Sequence, residues 1–287
     1  MADLPTIICI GRVYCDVIFT DLARMPTPGT EVFAGGLGIH AGGGATITAG
    51  HLSALGHPTH LAAFLPGDGF GQEISRELGS LGVDMSLCQK RAAGTPPQMT
   101  VAMVQGEERA FVSHRVGAAF PALGAEDLRK VNPAHIHVGE ASTLIDHPEI
   151  IDLTKALGAT LSLDCSWDDD LDASAITRLL PEIDVFLPNE AEVELLRDIG
   201  VTDLTAKLTV TKQGKDGASA LINGRDYHAP AIPVDVVDTT GAGDAFNAAF
   251  LSVWLKGEPI ETCLEFGNRK GAETVGGRGG LTALLAQ

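Results

Sequence analysis

The segment from Asp238 to Phe246 contains the residue types that phosphoryl transfer needs. It reads Asp-Thr-Thr-Gly-Ala-Gly-Asp-Ala-Phe, follows an extended run and enters a helical pattern near Gly243. Gly241 and Gly243 remove side chains where backbone N–H groups would point outward, and these groups, with the helix dipole, would hold an anion. Asp244 would then accept the proton of a hydroxyl that attacks phosphorus. The alternative for Asp244 is a helix acid that only stabilises the N-terminus.

Two other glycine-rich phosphate motifs are excluded by the same residues. No G-x-x-x-x-G-K-[ST] occurs in the sequence, so there is no Walker A loop. Phe246 stands where the third glycine of G-x-G-x-x-G would be, so a dinucleotide fingerprint is missing as well. An oxidoreductase function is therefore disfavoured.

The elements that must position this segment alternate along the chain. Short apolar, β-rich runs alternate with helical patterns, which predicts an α/β fold with a mainly parallel sheet sandwiched by helices. The predicted strands are residues 6–10, 60–64, 135–138, 160–164, 185–188 and 208–211. The predicted helices are residues 46–55, 71–81, 148–157, 172–180, 190–199, 243–256 and 260–274. In such sheets, ligands bind outside the carboxyl ends of the strands.

Two excursions interrupt the alternation and predict a small antiparallel β lid. Residues 13–20 and 31–39 are strand-like, and residues 99–104 and 109–114 flank a hairpin turn at 105–108. The lid is assigned to residues 13–40 and 95–115, and the α/β core to residues 1–12, 41–94 and 116–287. Two unrelated surface hairpins are the alternative.

Composition limits the partners of the chain. Its 287 residues have a net charge of −17 and are 45% hydrophobic, which suits a folded core and argues against nucleic acid or an anionic membrane surface. Residues 32–67 contain no charged side chain, but their glycines and histidines do not suit a membrane helix. The five scattered cysteines and the absence of a signal-peptide pattern favour the cytoplasm. His135 and His137 could bind a metal on one strand face, although ordinary polar positions near a strand end are favoured.

The segment 238–246 resembles the C-terminal signature of the ribokinase-like carbohydrate kinases, the phosphofructokinase-B (PfkB) family. Five further segments resemble the motifs of this family in order along nearly the whole chain. They are Gly11–Asp16, Ala41–Gly44, Gly67–Gly71, Pro188–Glu192 and Thr211–Gly217. The order and spacing of these segments are more specific than any one of them alone.

The resemblance implies an ATP-dependent kinase that phosphorylates a hydroxyl of a small sugar or sugar derivative. Asp244 would be the general base, and the N–H groups of Gly241, Ala242 and Gly243 would form the anion hole. Asp16 and the backbone of Gly42 and Gly43 would hold the sugar. Residues implied on the nucleotide side are Asn189, Glu192, Thr211, Lys212, Gly214, Gly217 and Asn268. The lid would exclude water and pair two subunits as a homodimer.

Metal ions are implied at two places. Asn189 and Glu192 match the motif that orders Mg²⁺ around the triphosphate, with Glu192 acting through water; a solvated helix N-terminus is the alternative. Asp238 and the Thr240 carbonyl match positions that hold a monovalent cation in many members of the family, so a K⁺ requirement is a hypothesis. Asn268 would flank the adenine, or would be an ordinary surface residue.

The sequence departs from the family pattern on the sugar side. By spacing, an Asn that usually contacts the sugar is replaced by Ile47, and Ala119 replaces another Asn. Thr46, His40 or Gln98 would supply replacement hydrogen bonds, and a less polar or differently shaped acceptor is compatible with these changes.

Two other functions stay open. A nucleoside kinase, such as one for adenosine, would stack the base on lid aromatics. The lid offers Tyr14, Phe19, Phe33 and Phe111, and aromatic residues make up only 5% of the chain, so this function ranks second. A non-catalytic ligand-binding protein on the same fold would be expected to lack the base or the glycines of the anion hole, and these are all present.

Overall fold

The computed structural model describes residues 4–67, 69–92, 94–106, 108–276 and 279–285. Asp68 of the Gly67–Gly71 motif and Glu107 of the hairpin turn lie outside these residues. The strands in chain order are β1 (Ile7–Ile10), β2 (Tyr14–Thr20), β3 (Gly36–Gly42), β4 (Thr59–Ala62), β5 (Phe64–Leu65), β6 (Gln89–Lys90), β7 (Met99–Gln105), β8 (Glu108–His114), β9 (His135–Val138), β10 (Thr160–Leu163), β11 (Val185–Phe186), β12 (Leu208–Lys212), β13 (Ala218–Ile222) and β14 (Arg225–Ala229). The helices are α1 (Gly44–Ala54), α2 (Gly69–Ser80), α3 (Ala125–Arg129), α4 (Ala141–Asp146), α5 (Glu149–Leu157), α6 (Ala173–Leu179), α7 (Glu190–Asp198), α8 (Ala242–Trp254), α9 (Ile260–Val275) and α10 (Thr282–Leu285).

The large sheet has the order β14-β13-β12-β11-β10-β9-β1-β4. Its strands from β4 to β12 are parallel, and β13 and β14 add an antiparallel edge. Alternate residues of each central strand enter different cores, which is why the central strands are buried on both faces. Ile8 of β1 packs with Leu144 and Ile150 under one layer of helices, whereas Ile7 packs with Leu52 under the other. The predicted mainly parallel sheet between helices is confirmed.

The antiparallel edge of the large sheet was not predicted from the sequence. β13 and β14 are joined by Asn223 and Gly224, whose φ angles are +51° and +73°. Two successive residues with positive φ form the tight hairpin turn for which Asn-Gly is the strongest short-range signal. The signal was therefore present in the sequence, but β14 reads Arg-Asp-Tyr-His-Ala and contains no apolar run.

The four strands of the two excursions form one sheet in the order β3-β2-β7-β8. The sheet is mixed and not wholly antiparallel, because β2 pairs with β7 in parallel, with Cys15 opposite Met99. The two excursions leave the core side by side, Cys15 N–H donating to Gln98 O over 2.9 Å, so their first strands run in the same direction. β3 begins at Gly36 and not at residue 31, because β2 ends before Asp21, whose φ is +57°.

No helix within the described residues is long and apolar enough to cross a membrane. No disulfide joins the five cysteines, all of which lie in the described part of the chain.

Candidate active site

The loop of residues 238–241, called here the anion-hole loop, leads directly into α8. Gly241 precedes the helix with a φ of +75°, and a Cβ there would lie 2.5 Å from the Cα of Gly280. Only glycine combines this conformation with this approach. The first-turn N–H groups of α8 follow the loop, an arrangement that binds anions. Of the three predicted donors, Ala242 N–H also donates to Thr239 O over 3.3 Å and so takes part in the turn of the loop.

Asp244 lies in the first turn of α8 and faces the start of α1. A Cβ built on Gly44 would lie 3.2 Å from Asp244 Oδ1. Burial raises the pKa of Asp244 well above its usual value, and the neighbouring carboxylate of Asp164 raises it further, while Lys212 acts in the opposite direction. A carboxylate with a raised pKa is a better proton acceptor than an exposed one. Asp244 can therefore take a proton from a hydroxyl bound between α8 and α1.

Lys212 belongs to a buried network behind the N-terminus of α8. Its Nζ lies 3.0 Å from Asp164 Oδ1 and donates to Asn247 Oδ1 over 3.2 Å. Asn247 Nδ2 closes the network by donating to Asp164 Oδ2 over 2.7 Å. Neither Asp164 nor Asn247 was singled out from the sequence. The available signal was the position of Asp164 directly after β10, at the sheet edge where ligands bind.

The ammonium of Lys212 also lies close to the first turn of α8. A Cβ built on Gly243 would lie 3.5 Å from Lys212 Nζ. Burial alone would lower the pKa of Lys212, but the carboxylates of Asp164 and Glu192 raise it above its usual value. The side chain is therefore charged, and it can neutralise an anion bound at the first turn of α8.

Asn189 and Glu192 form a reciprocal cap at the start of α7. Asn189 Oδ1 accepts from Glu192 N–H over 2.9 Å, and Glu192 Oε2 accepts from Asn189 N–H over 2.8 Å. This capping box gives both residues a structural role, but the buried Glu192 does not match the solvated helix N-terminus that was the alternative to metal ordering. Glu192 is 5% exposed, and burial followed by the Asp164 charge raises its pKa to about 7. The carboxylate oxygens of Glu192 and the neighbouring Asp164 are ligands of the kind suited to Mg²⁺ held through water.

A cavity of about 490 Å³ opens beside α8 and has the size of a small-molecule site. Its lining includes the predicted residues Lys212, Gly214, Gly217, Gly243 and Asn268, together with apolar side chains from residues 231–236. Asn268 Nδ2 donates to the carbonyls of Ala229 and Pro230 over 2.9 and 3.0 Å, which ties α9 to the end of β14. Thr211 is not among the residues that line this cavity; it lies in β12 opposite Ser219.

Asp16, Gly42 and Gly43 meet at the base of the small sheet. A Cβ on Gly42 would fall about 2.1 Å from Asp16 Oδ2, so glycine is required for this carboxyl to lie against the backbone. Gly43 has a φ of +101°, which turns the chain into α1. Burial raises the pKa of Asp16 to about 7. The charge of His40 lowers this pKa, and the charge of Glu77 raises it. Asp16 is also close enough to raise the pKa of Asp244, so the two carboxyl groups belong to one site.

Thr46 and Gln98 lie behind the cleft, which corrects their assignment as substrate ligands. Both are at most 2% exposed. Thr46 Oγ1 donates to Arg12 O over 3.4 Å. Gln98 Oε1 accepts from Arg12 Nη1 over 2.8 Å, and its Nε2 donates to Val13 O over 3.2 Å. Because their polar atoms are turned to the protein, these side chains support Arg12 and its loop instead of contacting a substrate.

The two departures from the family pattern are also buried. Ile47 packs under the anion-hole loop, where its Cγ2 would lie 3.2 Å from a Cβ on Gly241. Ala119 is 1% exposed and belongs to the interior.

His40 is half-buried, and its Nδ1 lies 3.4 Å from Glu77 Oε1. Its contact with Glu77 raises the pKa of His40, so the ring carries a positive charge next to Asp16 more readily than a free histidine.

The predicted cation site at Asp238 and Thr240 contains a protein cation. Asp238 Oδ1 accepts from Thr240 N–H over 2.8 Å and lies 2.9 Å from Arg109 Nη1. Asp238 Oδ2 accepts from Gly279 N–H over 2.8 Å. A monovalent ion at this carboxylate would lie beside a guanidinium of the same sign, so the residues present do not fit K⁺.

His135 and His137 are fully buried and share one hydroxyl. His135 Nε2 and His137 Nδ1 each lie 2.8 Å from Ser162 Oγ. Burial lowers the pKa of both rings to about 3, so both are neutral. No group of three or more His, Cys, Asp or Glu that could hold a metal ion is found within the described residues.

Comparison with known proteins identifies the fold and the family. An E. coli protein described as a ribokinase II, solved in complex with ATP and Mg²⁺, superposes with a TM-score of 0.79 at 25% identity and covers 98% of this chain and 96% of its own. The fold is thus ribokinase-like. A model of the pfkB family of carbohydrate kinases matches residues 4–286, and the chain belongs to this family.

Two relatives extend over nearly the full length of the chain. It is 30% identical to the ATP-dependent ribose-1-phosphate kinase of Halopiger xanaduensis, over 98% of this chain and 95% of the relative. It is 27% identical to the nucleoside kinase of Methanothermobacter thermautotrophicus, over 93% of this chain and 88% of the relative. The protein is therefore a kinase of the ribokinase-like sugar and nucleoside class.

Proposed function

We propose that the protein transfers a phosphoryl group from ATP to a hydroxyl of a small sugar or sugar derivative, with Asp244 as the general base. One observation carries this proposal. Asp244 directly follows Gly243, which lines the cavity beside α8, and its Oδ1 would lie 3.2 Å from a Cβ on Gly44, next to the Gly42–Gly43 turn that holds Asp16. A base in this position can act on a group that is bound next to both the cavity and the Asp16–Gly42 corner.

The residues around Asp244 have different roles in the proposed reaction. Asp16 and the backbone at Gly42 hold hydroxyls of the acceptor, and Asp244 removes the proton of the attacking hydroxyl. The N–H groups at the start of α8 and the Lys212 ammonium stabilise the charge of the transferring phosphoryl group. Lys212 is held in place by Asp164 and Asn247, so it need not reorganise during the step.

The nucleotide and its metal have complementary sites. The cavity lined by Gly214, Gly217 and Asn268 suits the adenosine part of ATP. Glu192 fits a water-held Mg²⁺, since only one of its two carboxylate oxygens is used in the cap of α7. Asn189 would support it by the cap, because its one side-chain oxygen accepts from the Glu192 N–H. Bound Mg²⁺ neutralises phosphate charge during transfer. The same donor and metal occur in the E. coli ribokinase II complex, which supports this assignment.

A nucleoside acceptor is the second candidate. Phe33 and Phe111 of the small-sheet segments are 81% and 55% exposed, so aromatic surface is available for stacking a base. The similarity to the Methanothermobacter thermautotrophicus nucleoside kinase favours the same candidate. A non-catalytic binding protein is disfavoured by the presence of Asp244, Lys212 and the glycines.

ATP consumption with a panel of acceptors tests the proposal. ADP release is measured with ribose, ribose 1-phosphate, fructose, a sugar acid and several nucleosides, and the product is checked by mass for one added phosphoryl group. We expect turnover with a sugar or sugar derivative, and none in an Asp244→Asn preparation purified in parallel. Turnover with nucleosides alone would replace the first candidate by the second. Absence of turnover with every acceptor would contradict both.

The small sheet is proposed as the lid, spanning residues 13–40 and 95–115, and as the contact of a homodimer in the cytoplasm. Leu37 and Val112 are 63% and 64% exposed on this sheet, so it presents apolar surface that a second copy would cover. Light scattering on the purified protein measures its mass, and Leu37→Asp should shift a dimer towards the monomer.

A further inference from the structure

Arg109 connects the small sheet to the anion-hole loop. It lies in β8, the edge strand of that sheet, and its Nη1 is 2.9 Å from Asp238 Oδ1 and donates to Thr239 Oγ1 over 2.7 Å. The side chains of Arg109 and Asp238 are only 13% and 9% exposed. Salt screens such a pair much less than it screens a surface pair. The contact therefore joins firmly two segments that are 130 residues apart in the sequence.

Asp238 transmits this contact to the backbone of the loop. Its two oxygens accept from the N–H groups of Thr240 and Gly279, both over 2.8 Å. Thr240 precedes Gly241, and Gly279 precedes Gly280, the residue on which Gly241 packs. The carboxylate thus holds both sides of the close approach that shapes the start of α8, and its charge is balanced by the guanidinium.

We infer that Arg109 takes the place of a monovalent cation beside the anion hole, and that it couples the position of the small sheet to the geometry of that hole. This inference rests on the proposed phosphoryl transfer. Arg109 is a positioning residue, because it acts through Asp238 and Thr239. When the small sheet lies over the acceptor, the anion-hole loop is braced, and turnover needs no K⁺.

Removal of the Arg109 guanidinium should make turnover dependent on K⁺, which the native protein does not need. Asp238 would then be a nearly buried carboxylate without a counter-ion among the described residues. Thr282 Oγ1, which would lie 2.8 Å from a Cβ on Gly279, is buried and has no hydrogen-bond partner within the described residues. Together with the Thr240 carbonyl, these oxygens are ligands of the kind that a hard cation prefers.

Steady-state turnover at constant ionic strength tests the inference, with KCl, NaCl or choline chloride as the salt. We expect the native enzyme to be equally active in all three within about twofold. Arg109→Ala should lose about 30-fold or more in kcat in choline chloride, because a loop displaced by a fraction of an ångström to about 1 Å misplaces the N–H groups at the start of α8, with a smaller change in the KM for ATP. KCl should raise the kcat of Arg109→Ala about tenfold over its value in choline chloride. Arg109→Lys should keep most of the native kcat. The matched control is Arg129→Ala, which removes an arginine paired with Glu126 on the distant surface of α3.

Thermal unfolding supplies a readout that does not depend on the phosphoryl-transfer assignment. A cation that binds only the folded protein raises its Tm. We expect KCl to raise the Tm of Arg109→Ala by a few degrees over choline chloride, and to leave the native protein and Arg129→Ala unchanged. A K⁺-specific rise in Tm or a tenfold K⁺ activation of the native protein would overturn the inference. Equal behaviour of Arg109→Ala and Arg129→Ala in both measurements would overturn it as well. An inactive native protein with the expected Tm pattern would instead refute the proposed function alone.

Discussion

Gly241→Ala is the substitution whose effect is most directly set by the geometry of the anion hole. The φ of +75° costs an alanine about 1–2 kcal/mol. The new Cβ would also lie 2.5 Å from the Cα of Gly280, so the backbone must back away by about 1 Å to reach ordinary contact. A displacement of about 1 Å at a reacting centre is worth about 100-fold in rate. We therefore expect kcat to fall about 100-fold, while the KM of the acceptor changes little.

Gly257→Ala is the matched control for this prediction. Gly257 has a φ of +76°, nearly the same as that of Gly241, but nothing lies within 4 Å of its Cβ position. It follows α8 at the opposite end from the site. Gly257→Ala should thus lose about 1 kcal/mol, or about 2–4 °C in Tm, with turnover unchanged within about twofold. Equal turnover of the two variants in the same coupled assay would refute the role given to the loop.

Three further predictions concern the charges around Asp244. Turnover should fall as the pH drops through the pKa of Asp244, and this fall should begin at a higher pH than for an ordinary carboxyl group, because burial and Asp164 raise that pKa; a flat pH–rate profile between pH 5 and 8 would contradict it. Lys212→Met should cost about 3–5 kcal/mol of unfolding free energy, because it leaves Asp164 buried without its cation. Lys212 lowers the pKa of Glu192, which is about 7 in the native protein, so this pKa should rise further in Lys212→Met. Protonation of Glu192 then removes a negative charge next to Asp164, and the loss should shrink as the pH falls towards 7 and below in denaturant titrations. A pH-independent loss would count against the charge explanation. Glu192→Gln keeps the cap of α7 but removes the charge, so the Mg²⁺ concentration for half-maximal rate should rise about tenfold with Tm nearly unchanged; an unchanged Mg²⁺ dependence would leave Glu192 only its capping role.

Local patterns predicted the parts of the structure that depend on neighbouring residues. The predicted strands at 135–138 and 208–211 match β9 and β12, the latter ending one residue later at Lys212. The cap of α7 was not predicted, although Asn189 and Glu192 three residues apart carry its signal. Gly241 and Asp244 follow from a helix start that must approach another backbone. These sequence patterns could be recognised because each of these features depends on residues that are close together in the sequence.

The remainder of the site depends on contacts that no local pattern carries. Lys212 meets Asp164 across 48 residues of sequence, and Arg109 meets Asp238 across 129 positions of the chain and two different sheets. Whether Gln98 faces a substrate or the interior depends on the buried charge of Arg12, which has no signature in the sequence. β2 and β7 pair in parallel because both excursions leave the core side by side. An alternating pattern of apolar residues predicts a strand but does not indicate its direction.

The central claim is that Asp244 is the base of a phosphoryl transfer. Asp244→Asn keeps the shape and removes the proton acceptor, and it also removes one member of the acidic group formed with Asp164 and Glu192, so the fold should be no less stable. Turnover with the best acceptor and the Kd for ATP by calorimetry are measured on the same preparation. We predict a loss of about 100- to 10,000-fold in kcat with ATP affinity unchanged within a few fold. Turnover within tenfold of the native rate, in a variant that binds ATP normally, would contradict the claim.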